Sequence, residues 1–113
     1  MKEIKAYIKP SKVQIVVENL RDAGFENVTL SKGEGTGAHK DPNAAPSLDF
    51  RFTDSPIVKL ELVCQNEEMD KAVQLICGKA HTPEPGDGII YVSHVEDAFK
   101  IKNGKSIKIF DIK

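Results

Sequence analysis

One pattern, written twice, limits what this chain can fold into. Ile4, Ala6 and Ile8 alternate with Lys5 and Tyr7 up to Pro10, and Val13, Val16, Val17 and Leu20 then fall at i, i+3, i+4 and i+7. The succession returns later: Ile57 to Cys64 alternates, and Met69, Ala72, Val73 and Ile76 repeat the helical spacing. A period of two marks a half-buried strand and a period near 3.6 an amphipathic helix, so each half predicts a strand followed by a helix. Ser11 with Gln14 reads as a capping box for the first helix and Gly24 as its stop, while Asn66 caps the second, with Glu67 and Glu68 in its first turn. Each half then adds a strand, Phe25 to Lys32 in the first and Ile89 to His94 in the second.

The expected fold class is therefore α+β, a ferredoxin-like βαββαβ arrangement with an antiparallel sheet and both helices on one face. Between residues 33 and 56 the periodicity disappears. A loop of that length inside a compact domain is uncommon unless it is functional, so it is read as an arm. Phe50-Arg51-Phe52, near its end, is either a docking patch or an extension of the next strand. Phe99 to Lys102 and Ser106 to Ile112 flank Asn103-Gly104, which predicts a C-terminal hairpin over about 99–112.

A chain of 113 residues with 40% hydrophobic content supports one domain, 1–113, with a single core. A formal net charge of -1 and only two arginines, Arg21 and Arg51, leave no basic stripe for nucleic acid. No apolar run reaches the roughly 20 residues of a membrane span. Met1-Lys2-Glu3-Ile4-Lys5 lacks the apolar core of a signal peptide, so a cytoplasmic protein with no membrane insertion is expected. Cys64 and Cys77 share no Cys-x-x-Cys spacing and read as buried, reduced thiols. No ordering of nucleophile, base and acid suggests an enzyme.

The segment from His81 to Ile89 carries the chemistry. Its Gly86-Asp87-Gly88 core is the kind of backbone whose amides converge on an anion. Asp87 need not touch phosphate, since its side chain can bond the turn and hold the amides inward. Lys100 and Lys102 follow on one face of a predicted strand, while Glu84 in the loop opposes a highly charged ligand.

With these parts in this order, the chain resembles the PII family of signal-transduction proteins over almost its whole length. The likeness rests on Ile8-Lys9-Pro10, Gly24, Gly35-x-Gly37 at the base of the arm, Val58-Lys59-Leu60-Glu61 and Gly86-Asp87-Gly88. The resemblance implies a homotrimer with a nucleotide in each inter-subunit cleft and an arm, here about 33–56, that docks onto a partner, often a membrane transporter or an enzyme. By position, Gly86, Asp87 and Gly88 would cradle phosphate and Lys100 and Lys102 would bind it. Thr29, Gly35 and Gly37 would sit near the nucleotide, and Leu62 and Val63 would run beside the base.

The departures from that pattern bear on the ligand. Lysines of the family's loop are replaced by Glu84 and Ile89, and basic and glutamine residues by Ala38 and His39. A charge-assisted hydrogen bond is worth about 1.5–3 kcal/mol, so losing two favours ADP, AMP or a cyclic mononucleotide such as cyclic AMP over ATP. The only tyrosines are Tyr7 and Tyr91, which leaves the arm without an acceptor for uridylylation. Magnesium-linked binding of 2-oxoglutarate depends on the glutamine that His39 replaces. An alternative reading is a metal-responsive module, similar to CutA and linked to metal homeostasis, with His39 and Asp41 as the weak candidates for ligands.

Overall fold

The computed structural model describes residues 1–35 and 55–107. They form β1 (Lys2–Ile8), α1 (Val13–Asp22), β2 (Thr29–Gly35), β3 (Ser55–Cys64), α2 (Met69–Ala80) and β4 (Gly88–His94). The strands make one sheet in the order β2-β3-β1-β4, and every neighbouring pair is antiparallel. This is the expected α+β, ferredoxin-like architecture.

Register explains where the core sits. Ile4 opposes Leu62, Ala6 opposes Leu60 and Ile8 opposes Val58, so three rungs of apolar pairs line one face of the two central strands. All six residues are buried. Val16 and Leu20 of α1 and Ala72, Ile76 and Ala80 of α2 close onto that face, the stripes that the helical spacing predicts. Among the described residues the opposite face carries no helix. There Lys5, Tyr7, Lys59 and Glu61 point outward, the Tyr7 and Tyr91 rings meet edge to face at 6.1 Å, and Ile89 and Tyr91 remain 53% and 57% exposed.

Both helix starts differ from the reading of the sequence. A 3-10 turn over Pro10–Lys12 precedes α1 and another over Asn66–Glu68 precedes α2, and neither start has a side-chain cap. Gln14 donates to Glu18 at 3.0 Å along the helix instead of closing a box with Ser11. The end of α1 behaves as expected: Gly24 adopts φ 98°, its N–H donates to the Arg21 carbonyl at 2.9 Å, and the Phe25 N–H donates to the Leu20 carbonyl at 2.8 Å. That pair of bonds is a Schellman ending. It commits Phe25 to the core rather than to a strand, with Lys71 Nζ 5.8 Å from its ring centroid, so β2 begins at Thr29 and not at Phe25.

The base of the predicted arm belongs to the sheet. β2 continues to Gly35 and β3 starts at Ser55, pairing Gly33 with Ile57, Glu34 with Pro56 and Gly35 with Ser55. The Ile57 side chain covers both glycines, 3.6 Å from where a Cβ on Gly33 would stand and 3.8 Å from one on Gly35. The rest of the arm lies outside the described residues, and with it Gly37, His39, Asp41 and Phe50-Arg51-Phe52.

Among the described residues, Phe99 to Lys102 is a bridge and a turn rather than the expected strand. Phe99 and Ser106 form a single bridge, the Lys100 N–H donates to the Lys105 carbonyl at 2.9 Å, and the Gly104 N–H donates to the Lys100 carbonyl at 2.8 Å. Asn103 accepts the Lys105 N–H on its side chain at 2.9 Å, so the dipeptide ends a wide turn rather than joining two strands. Residues 108–113 lie outside the described residues. Cys64 is buried, and that burial, with Glu68 adding to it, pushes its thiol pKa up; Cys77 is exposed on α2, contrary to expectation, because it falls beside the buried Ile76 and off the apolar stripe. Among the described residues no helix is long and apolar enough to cross a membrane.

Leu60 is fully buried in the middle of the sheet. Leu60→Ala should therefore lower unfolding free energy by about 2–5 kcal/mol, measured by urea denaturation.

Candidate functional site

The loop from α2 to β4 is built around one carboxylate. α2 ends at Ala80, and the His81 N–H closes its last turn on the Cys77 carbonyl at 3.2 Å. Asp87 then turns back on the helix end: its Oδ2 accepts the Thr82 N–H at 2.9 Å and lies 3.3 Å from His81 Nδ1. Its Oδ1 accepts the Thr82 hydroxyl and lies 3.6 Å from Lys9 Nζ. The same hydroxyl accepts from Lys9 Nζ at 3.2 Å and from the Glu84 N–H at 3.3 Å. Thr82 thus links helix end, loop and β1 through one oxygen.

Partial burial works against ionisation of Asp87. The Thr82 N–H and hydroxyl, then the Lys9 ammonium and His81, outweigh it and hold the carboxyl below the usual carboxylate range. Lys9 is 9% exposed and is the one buried charged residue among those described. A lysine so placed needs a paired anion, and Asp87 supplies it.

Gly88 fixes where the loop ends. It has φ 105°, and a Cβ there would stand 1.6 Å from the Tyr7 carbonyl oxygen, so no other residue fits without moving β1 or β4. Pro83 and Pro85 have no N–H, and the Glu84 N–H is occupied by Thr82. The Gly86 and Asp87 N–H groups have no acceptor among the described residues. A cleft of about 460 Å³ opens beside the loop, lined by Ile76, Cys77 and Ala80 from α2 and by Tyr7, Asp87 and Ile89 on the other side.

The sequence-predicted residues fall into separate groups. Gly86, Asp87 and Gly88 are together at the β4 edge of the sheet. Thr29, on β2 at the opposite edge, pairs with Glu61, and Leu62 and Val63 follow on β3 beyond the end of the β2 ladder. Across the sheet, three strand spacings, about 14 Å, separate β2 from β4 and two, about 10 Å, separate β3 from β4, so one chain does not join the two groups. Leu62 is a core residue, whereas Val63 is half-buried on the helix-free face. Gly35 closes the described part of β2. Lys100 and Lys102 are exposed, and neither has an ion pair or side-chain hydrogen bond among the described residues. The loop's own cation is Lys9, which sequence reasoning noted only as part of a motif, and Thr82 was missed altogether. A threonine directly after a helix end and five residues before an aspartate is the available signal.

The family model for nitrogen regulatory protein P-II matches residues 1–105. The chain is 36% identical over 111 residues to the nitrogen regulatory protein P-II of Rhodobacter capsulatus, covering 94% of this chain and 96% of the relative. It is 37% identical over 106 residues to that of Haemophilus influenzae, covering 93% and 95%. It is also 34% identical over 109 residues to nitrogen regulatory protein P-II 2 of Methanothermobacter thermautotrophicus, covering 96% and 95%.

Two outcomes follow from the loop. Gly88→Ala should destabilise the fold by at least about 2 kcal/mol in a denaturant titration, because strand separation is the only relief for the overlap. Since the Asp87 pKa is depressed, its contribution is complete above the ordinary carboxylate value of about 3.9 and is lost as pH falls through the lower folded value. Protection of the Thr82 amide in NMR exchange experiments should therefore hold from neutral pH to about pH 4 and fail only in stronger acid.

Proposed function

The chain belongs to the nitrogen regulatory protein P-II family of signal-transduction regulators, and on that premise we propose that it senses an adenine nucleotide with few phosphates. ADP, AMP or cyclic AMP binds in preference to ATP, in a cleft between copies of a homotrimer. Occupancy is passed through the arm at 33–56 to a partner, a membrane transporter or an enzyme. The regulator acts by binding, through the different affinity of the nucleotide for different arm conformations.

The observation that carries this reading is the amide inventory of the loop. Two prolines and the Thr82–Glu84 bond leave the Gly86 and Asp87 N–H groups to meet an anion, which suits one phosphate group better than three. The positions of Glu84 and Ile89 agree with it. Glu84 brings like charge to the loop, and Ile89 sets an apolar side chain on the helix-free face. The separation of Thr29, Leu62 and Val63 from Gly86–Gly88 supports a site completed by a neighbouring copy, in which Lys100 and Lys102 face phosphate. The exposed Ile89 and Tyr91 give the helix-free face a reason to be covered in that assembly.

Isothermal titration at about 100 μM protein should show ADP or AMP binding more tightly than ATP, and no binding by any adenine nucleotide would overturn the reading. Glu84→Lys combined with Ile89→Lys should raise ATP affinity by about 100-fold or more, while leaving AMP affinity within a few-fold. Sedimentation should give three times the chain mass.

A further inference from the structure

We propose that Lys9 is a positioning residue for the loop: it does not touch the ligand but holds the Thr82–Asp87 pair so that the Gly86 and Asp87 amides stay turned outward. This rests on the loop being the anion site described above. The geometry is specific. Lys9 is almost fully buried, its Nζ donates to Thr82 Oγ1 at 3.2 Å and lies 3.6 Å from Asp87 Oδ1, and Thr82 in turn bonds both oxygens of that carboxylate.

The charge on Lys9 is spent inside the protein. Its ammonium neutralises Asp87, so the loop can contain a carboxylate next to an anion site without repelling the anion. The groups that face Asp87 are Lys9 from the end of β1 and His81 and Thr82 from the end of α2, and His81 is the exposed one. Removing Lys9 leaves a partly buried carboxylate with weaker compensation. Asp87 then gains from turning toward solvent, which carries the Gly86 and Asp87 amides with it and brings a second negative charge beside Glu84.

The full-length protein is tested as wild type, Lys9→Met, Lys9→Arg, and Lys9→Met combined with Asp87→Asn. Three quantities are read: ADP affinity, the titration of the Asp87 carboxyl carbon by NMR, and hydrogen exchange at the Thr82 amide. Lys9→Met should raise the Asp87 pKa, speed Thr82 exchange about tenfold and weaken ADP about tenfold. Lys9→Arg should recover most of each, and the double variant should bind ADP better than Lys9→Met alone, because it removes the uncompensated charge.

Unchanged Asp87 titration and Thr82 exchange in Lys9→Met would overturn the proposal. A loss of ADP affinity without those changes would also overturn it, since Lys9 would then be a direct ligand contact. If wild-type protein binds no nucleotide, the functional reading fails on its own, and the titration and exchange data still decide whether Lys9 sets the loop. Should Lys9→Met not fold, the same readouts in Lys9→Gln, which keeps a hydrogen-bond donor but no charge, decide it: a raised Asp87 pKa with faster Thr82 exchange supports the proposal, and an unaltered titration and exchange overturn it.

Discussion

A missing methyl group holds this structure in register. At Gly88 the backbone passes so close to the Tyr7 carbonyl that a Cβ would overlap it, which pins the first residue of β4 to the last turn of β1. Everything on that side of the sheet follows from the contact. Gly88 opposes Ile8, so Ile90 opposes Ala6 and Val92 opposes Ile4, and Ile90 joins the edge of the core. The residue before Gly88 is then delivered next to the residue after Ile8. Antiparallel counting alone brings Asp87 to Lys9.

The helices and strands were legible because their signals are local. Each buried stripe, Val16 with Leu20 and Ala72 with Ile76, can be read from spacing within one turn or two. The strands' inward sides can be read from alternation, and the turn into β4 from its glycines. What the sequence did not reveal depends on partners far along the chain. Phe25 looks like the start of a strand until the Schellman ending of α1 claims its N–H and the core claims its ring. Ser11 and Asn66 look like caps until 3-10 turns move the helix starts past them. Lys9 lies 73 residues from Thr82, and no local pattern distinguishes it from the solvated lysines around it.

The site shows the same division. The glycines and Asp87 were found in the sequence, but the role of Asp87 is structural in a way that spacing does not express: both of its oxygens are satisfied within the chain. Lys100 and Lys102, the cations that position suggested, make no ion pair or side-chain hydrogen bond with the loop among the described residues. The lysines assigned to this site are therefore of two kinds, one buried and internally balanced, the others exposed. Counting lysines by sequence position merges the two.

Pro83 and Pro85 have a consequence in time as well as in shape. Fixed φ angles and the Thr82 knot leave the loop little conformational freedom to lose, so under the proposed reading an arriving anion would meet donors already in place rather than a segment that must fold around it. Association at such a loop would then be limited by encounter, not by rearrangement. A rigid receiver also reports nothing by itself. Whatever change announces a bound ligand has to occur in another part of the molecule, and the loop serves that change best by not taking part in it.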